Sequence, residues 1–183
     1  MMIKTKRLIL RPINKKDAAD LAKSLNNLNI SKWIVPMPYP YKIKDAKWWI
    51  NKQSNEFKKK QRTDYTFMIE LKPNKRLIGA VGVSGFDNNK VKGELGYWLD
   101  EKYWRQGIMS EAVEAIIDFA FNKLKLEKVF IPAFVENPSS NAIAKKMGFK
   151  LEGVLRQHAR CKATGKIHDE NIWGLLRKEW GKK

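Results

Sequence analysis

From Lys4 to Ile13 the chain alternates, with Leu8 and Leu10 pointing one way and Arg7, Ile9 and Arg11 the other, the period of a half-buried strand. Pro12 ends that strand or marks a sheet edge, because its nitrogen has no proton to give to a ladder. Asn14 has the chemistry of a helix cap, and Ala18, Leu21, Ala22 and Leu25 share one face of a helix expected over Lys15 to Leu25. The run Pro36-Met37-Pro38-Tyr39-Pro40-Tyr41 is expected to be extended, since each proline biases its predecessor away from helix. A second helix is expected from about Lys44 to Lys60, with Trp48, Trp49 and Phe57 near one face and a strongly basic end.

Three strand-like runs follow: Tyr65 to Leu71, Leu77 to Phe86, and Val91 to Leu99. Pro73-Asn74-Lys75 and Asp87-Asn88-Asn89 separate them as turns, which predicts an antiparallel meander. The period then lengthens. Gly107 to Leu124 reads as a helix with an apolar face of Ile108, Ala112, Ala115, Ile116, Phe119 and Ala120. Val129 to Val135 reads as a strand, Pro138 to Met147 as a short helix, and Phe149 to about Arg160 as another strand. A last strand runs from about Lys166 to Leu176. The strand–helix–strand unit over Glu94 to Val135 implies a parallel pair joined by a right-handed crossover. Together these elements predict an α/β fold: a mixed antiparallel and parallel sheet of six to seven strands flanked by helices, in one domain over residues 1–183.

A chain of 183 residues can bury a real core, and an apolar share of 43% argues against disorder. No run reaches the ~18 to 20 apolar residues of a membrane span, and Met1-Met2-Ile3-Lys4 lacks the apolar stretch of a signal peptide. Cys161 has no second cysteine to pair with, and two histidines with one cysteine make a poor metal set. The expectation is a reduced, cytoplasmic protein with neither membrane nor metal. Monomer and homodimer are both open.

The net charge of +18 adds a second question. Such a field attracts polyanions: nucleic acid, the ribosome, or a highly charged cofactor. Against this, most of the basic residues are lysines in scattered pairs and triples, such as Lys15-Lys16, Lys58-Lys59-Lys60 and Lys145-Lys146. With many asparagines beside them, they read as compositional drift rather than a stripe with interleaved aromatics. Nucleic acid is not expected as a substrate, although the charge would favour proximity to the ribosome.

The most informative segment is Gly93 to Ala112. A strand passes through a short loop into the first turn of a long helix. The free amides and positive dipole end of that turn make an anion site, and a pyrophosphate is a natural occupant. Gly107 lets phosphate oxygens approach the backbone, and Arg105 adds a permanent charge. An ordinary strand-to-helix turn remains the competing reading of this segment alone.

Wider motifs extend it. Glu94-Leu95-Gly96-Tyr97-Trp98-Leu99 is followed by Gly107-Ile108-Met109-Ser110-Glu111-Ala112. Later come Glu136-Asn137-Pro138-Ser139-Ser140, Gly148-Phe149 and Glu152-Gly153. Thr5-Lys6-Arg7-Leu8-Ile9-Leu10-Arg11-Pro12 opens the chain, and Leu175-Leu176-Arg177-Lys178-Glu179-Trp180 closes it. In these stretches the sequence resembles the GNAT superfamily, in particular its ribosomal-protein N-acetyltransferase branch (the RimJ/RimL-like enzymes), almost end to end. Two departures stand in the loop: Trp104 where the superfamily usually has Gln or Arg, and Met109 where it has Gly or Ala, methionine being usual in this branch.

The resemblance implies a GNAT fold with the fourth and fifth strands splayed apart, and an acetyl-CoA-dependent transfer of acetyl to a primary amine. It implies that free amides at Tyr97, Trp98 and Leu99 hold the pantetheine and the thioester carbonyl. Cofactor contacts are implied at Trp104, Arg105, Gln106, Gly107, Ile108, Met109, Ser110, Asn137 and Ser140. Glu94 is the implied general base and Ser140 the implied general acid. Many members carry a tyrosine at what is Ala144 here. The glutamate base of the most similar ribosomal enzyme falls at Ala159, between His158 and Arg160. Trp33, Tyr39, Trp48 and Trp49 fall where the family lines its acceptor cleft, with one of the adjacent tryptophans turned outward, and His158 is a further acceptor-side candidate. The acceptor is expected to be a protein amino terminus, possibly that of a ribosomal protein. A polyamine, amino sugar or antibiotic is the alternative, and a non-catalytic ribosome- or RNA-binding module is the alternative of a different class.

Overall fold

The computed structural model describes residues 1–86 and 89–181. Its centre is an eight-stranded sheet: β1 (Ile3–Lys4), β2 (Leu8–Arg11), β3 (Asp64–Leu71), β4 (Leu77–Ser84), β5 (Lys92–Leu99), β6 (Lys128–Phe134), β7 (Lys150–Arg160) and β8 (Ile167–Leu176). The spatial order is β1-β2-β3-β4-β5-β6-β8-β7. Among the described residues only β5 and β6 run parallel; every other neighbouring pair is antiparallel. The helices are α1 (Ala18–Leu25), α2 (Leu28–Ser31), α3 (Ile43–Lys58), α4 (Ile108–Asp118) and α5 (Pro138–Met147).

The expected single strand over Lys4 to Ile13 is two strands, which corrects the six to seven strands to eight. Leu8 N donates to the Thr5 hydroxyl at 3.0 Å and Thr5 N donates to Leu8 O at 3.1 Å, so the chain turns back and Ile3 pairs with Leu10. The helix expected from Lys15 begins with a tight turn, Lys15–Asp17, whose Asn14 cap accepts from Lys16 N. The Asp87-Asn88-Asn89 turn lies mostly outside the described residues. The helix after Gly107 ends in a wide turn, Phe119–Lys123, where Leu124 N reaches Phe119 O.

Alternation decides which face each strand residue serves. Leu8, Leu10, Phe67, Ile69, Leu95 and Leu99 pack on the face covered by α4, with Ala112, Val113, Ile116 and Ile117. Met68, Ala80 and Trp98 pack on the opposite face, against Leu21 and Leu25 of α1 and Ala46 and Ile50 of α3. Burying side chains of this size contributes roughly 1.5–3 kcal/mol each. The sheet is therefore sandwiched, and β5, at its middle, sends neighbouring residues into two separate cores.

Candidate active site

β5 and β6 pair at only three positions: Lys92 with Lys128, Gly93 with Val129, and Glu94 with Phe130. Beyond Glu94 they part. β5 stays bound to β4 as far as Leu99, while β6 follows β8 to Phe134. Asp100 N donates to Ile78 O at 2.8 Å, which fixes the parity of the ladder. Alternation then turns the main-chain groups of Gly96 and Trp98 toward β4, and those of Leu95, Tyr97 and Leu99 toward the gap. Of the expected main-chain donors, Tyr97 and Leu99 thus face the opening, whereas the amide of Trp98 serves the sheet.

A cavity of about 630 Å³ fills the opening. Its walls are Glu94 to Leu99 on one side and Ile131 to Phe134 on the other. The first turns of α4 and α5 close one end; Ile30, Trp33 and the chain to Pro36 close the other. Gly107, the residue before α4, has φ +71° and no side chain to cap the helix. The free amides of that turn are left for a ligand. Asn137 caps α5 by accepting from Ser140 N at 3.2 Å, with Pro138 in the first turn. Two positive helix ends thus meet at one cavity.

The side chains between them are specifically placed. The Tyr97 hydroxyl lies 2.9 Å from Ser140 Oγ, bridging the gap from β5 to α5. Burial pushes the Tyr97 phenol up to about 12, against a smaller opposing effect of Ser140. Trp104 Nε1 donates to Leu99 O at 2.8 Å, so this departure from the usual loop residue ties the loop to the end of β5. The Trp98 indole N–H is buried in the cavity wall without a hydrogen-bond partner among the described residues.

Two carboxylates enter the same cavity. Glu94 is open to solvent through the cleft mouth, yet the walls around it strip enough water to raise its pKa, and the charge of Glu170 raises it further. Glu170 is buried at 7% exposure, and burial raises its pKa against the opposing pull of His158 and His168. Glu170 was not legible as a site residue. It is brought in by β8, opposite Phe134 of β6.

The structure brings Trp33, Glu94, Tyr97, Trp98, Leu99, Trp104, Arg105, Gly107, Ile108, Met109, Ser110, Asn137 and Ser140 to the cavity. Four expected residues do not line it. Gln106 turns its amide back to Lys102 O at 3.0 Å. Tyr39 lies in the exposed proline segment, and Trp49 packs with the α1–α3 core. His158 sits in an irregular stretch of β7, between Leu155 and Ala159, that directs its ring to Glu170, with Nε2 at 3.8 Å from Oε2. Trp48 is the outward member of its pair, and Cys161 is fully buried.

Arg7 is a second unforeseen contributor. Its Nη1 donates to Gln106 O at 2.9 Å and its Nε meets Glu111 Oε2 at 2.6 Å. Burial alone would raise the Glu111 carboxyl. The Thr5 hydroxyl at 2.5 Å, with the Arg7 amide and guanidinium, outweighs burial and holds the carboxyl below its ordinary value. The opening motif Thr5 to Arg7 therefore braces the loop before α4 from across the sheet.

This combination fits a long anionic thioester. Unpaired strand amides match an extended amide-bearing arm, two helix ends and Arg105 match phosphates, and the Glu94–Glu170 end matches an ammonium group.

Comparison with known proteins gives the family. The model of the acetyltransferase (GNAT) domain family matches residues 7–150. The chain is 30% identical over 178 residues to an uncharacterized N-acetyltransferase, p20, of Bacillus licheniformis, covering 96% of each. It is 37% identical over 93 residues to the ribosomal-protein-serine acetyltransferase of Escherichia coli (strain K12), covering 51% of this chain and 52% of that one. Its fold is similar to the crystal structure of the Microcin C7 self-immunity acetyltransferase MccE in complex with acetyl-CoA and AMP, with TM-score 0.79 and 25% identity over 94% of this chain and 93% of that one. Among the described residues, no helix is long and apolar enough to cross a membrane.

Proposed function

This chain belongs to the GNAT acetyltransferase family and is an N-acetyltransferase, and on that premise we propose that it moves acetyl from acetyl-CoA to the α-amine of a protein, of the ribosomal-protein type. The observation that carries this reading is the parting of β5 and β6 after Glu94 and Phe130. It leaves main-chain donors of Tyr97 and Leu99 without a strand partner, in a cavity sized for a pantetheine arm. MccE, similar in fold, is seen with acetyl-CoA.

In the proposed reaction, the first turn of α4 (Ile108, Met109 and Ser110) and Arg105 hold the pyrophosphate. The strand amides hold the arm and polarise the thioester carbonyl. Glu94, directly or through a water, takes the proton that frees the amine lone pair. The amine nitrogen then attacks the carbonyl carbon, and the strand amides stabilise the oxyanion as it forms. As the carbon–sulfur bond breaks, Ser140 gives its proton to the leaving thiolate, and the second proton shed by the attacking nitrogen restores Ser140 by way of the Tyr97 hydroxyl 2.9 Å away. Amide and free thiol are the products. Glu94 is suited to this work because its raised pKa lies nearer the working pH than that of an ordinary glutamate.

The acceptor end favours a single amine on an otherwise uncharged group. Trp33, Ile34, Val35 and Pro36 line the cavity as a mostly apolar run that follows Lys32, and Glu94 and Glu170 line it too. A net charge of +18 disfavours long polycations at range. The similarity to the ribosomal-protein-serine enzyme supports a peptide amino terminus. A small amine is the second reading, since the same apolar residues and two acids would accept one.

Release of free CoA thiol, assayed with peptides beginning in Ser or Ala beside small amines, tests both. Saturating acetyl-CoA is also expected to stabilise the fold, by about 2.7 kcal/mol at a hundredfold excess over Kd. Absence of a melting shift together with absence of thiol release would remove the catalytic reading in favour of a binding module.

A further inference from the structure

The outer surface of α3 has no place in the reaction above. Its apolar residues Ala46 and Ile50 turn inward, and at 3.6 residues per turn Lys44, Lys47, Trp48, Asn51, Lys52 and Lys58 fall on one outward arc. Trp48 is 65% exposed, more than any other large apolar side chain described. Among the described residues its only aromatic or cationic partner is Lys52, whose Nζ stands 5.5 Å from the ring centroid.

No acid shares this arc. Asp45 and Glu56 lie at its flank and are engaged: Asp45 accepts from Lys42 N at 2.8 Å, and Glu56 pairs with Lys59 and accepts from Thr63 N at 3.1 Å. None of Lys44, Lys47, Lys52 and Lys58 forms an ion pair with a described residue. Lysines scattered in sequence are thus gathered by the helix into a strip about 21 Å long, at ~1.5 Å per residue, with a flat aromatic ring in it.

A tryptophan in water forgoes the burial that makes it stabilising elsewhere. The strip therefore suits an occupant that offers negative charge at several points and a planar face at one. Duplex nucleic acid keeps its base faces stacked inside, and an acidic protein offers planar side chains only at scattered positions, whereas a single strand presents a base beside every phosphate. The geometry points to the outer face of α3 as a binding surface for single-stranded RNA, with the lysines on phosphates and Trp48 stacked on a base. RNA is preferred to DNA because it surrounds a ribosomal-protein acceptor, a clause that rests on the proposed acceptor. Binding is measured without turnover, so its failure is distinct from failure of the transferase reading.

The test is fluorescence anisotropy of a labelled oligouridylate of about 15 nucleotides, titrated with protein at salt from about 50 to about 300 mM. Affinity is expected to fall with salt on a log–log slope near −3, from four phosphate contacts at ~0.7 each. Trp48→Ala should weaken binding about 5- to 100-fold, and Trp48→Phe should recover most of it. The triple variant Lys44→Glu, Lys47→Glu, Lys52→Glu should flatten the slope by about 2 units. A control with Lys4→Glu, Lys16→Glu and Lys123→Glu changes net charge equally and should keep most of the binding. All these positions are exposed, so each variant should melt with the parent, which separates binding from folding. The proposal is overturned by no binding at the lowest salt, by equal losses in the two triple variants, by a silent Trp48→Ala, or by a polyglutamate competitor as effective as RNA.

Discussion

Glu94 and Glu170 enter one cavity from the two neighbours of β6, the first opposite Phe130 on the parallel side and the second opposite Phe134 on the antiparallel side. Burial raises both, but His158 and His168 favour the charged form of Glu170 alone. The charge of Glu170 in turn adds to the rise at Glu94. The acid limb of kcat/KM should lie above the ordinary glutamate value of about 4.3. Glu170→Gln should shift that limb to lower pH, and Glu94→Gln should lower kcat/KM by about 10²- to 10⁴-fold. A pH–rate profile with a peptide amine checks both; an acid limb unmoved by Glu170→Gln would show that the two carboxyls are not coupled.

The same pair carries a stability cost with a definite sign. A carboxyl whose folded pKa is raised contributes stability that is full below its unfolded value and lost as pH rises through the folded one. Glu170→Gln should accordingly raise Tm at pH 8 relative to the parent, with the advantage shrinking toward pH 4. Melting curves across that range read it directly. A variant less stable at pH 8 would mean that the contact with His158 outweighs the burial.

Ser140 has two jobs that a single substitution can separate. Asn137 caps α5 through the main-chain nitrogen of Ser140, which Ser140→Ala retains. The hydroxyl facing Tyr97 is lost. Ser140→Ala should therefore melt close to the parent while kcat falls about tenfold, equivalent to ~1.4 kcal/mol in the barrier. Asn137→Ala should do the reverse in part, losing about 1 kcal/mol of stability with the cap. Steady-state kinetics beside melting curves distinguishes the two.

What the sequence reveals and what it conceals divide along the range of the interaction. The alternation Glu94 to Leu99, the glycine before α4 and the Asn137-Pro138 start of α5 are local signals, and all three appear where the residues indicate. Glu170 is different. It reaches the cavity because β8 inserts between β6 and β7, a pairing that no local period encodes. Arg7 likewise acts on a loop about a hundred residues away, through Gln106 and Glu111. Trp49 and Tyr39 sit in elements near the cleft in chain order, yet packing against α1 and exposure of the proline segment take them elsewhere. The lysines of α3 look dispersed in sequence and become a strip only when the helix winds them together.

Gly107 tests the phosphate end. A Cβ built there meets nothing closer than Arg7 Nη2 at 3.7 Å, an ordinary contact, so space is not the obstacle. The obstacle is φ +71°, where an L side chain costs roughly 1–2 kcal/mol. Gly107→Ala should lower Tm by about 2–8 °C at ~2–4 °C per kcal/mol. It should also weaken acetyl-CoA binding more than acceptor binding, because the added methyl stands at the amides that would hold phosphate. Calorimetry with CoA alone measures that effect apart from catalysis.

Arg11 anchors the other core. Its Nε meets Glu70 Oε2 at 2.6 Å, and its Nη1 and Nη2 grip both oxygens of Asp17 at 2.9 and 2.8 Å. Asp17 also accepts from Asn14 N, so one guanidinium joins β2, β3 and the start of the first helical segment. All three side chains are largely removed from solvent. Arg11→Met would strand two carboxylates in that setting, at a cost of about 3–5 kcal/mol. At roughly 2–4 °C per kcal/mol the melting temperature should drop by about 6–20 °C. Replacing Arg11, Asp17 and Glu70 together by apolar residues of similar volume should cost far less than the single change. Equal losses in the single and triple variants would mean that packing volume, rather than charge pairing, is what this site supplies.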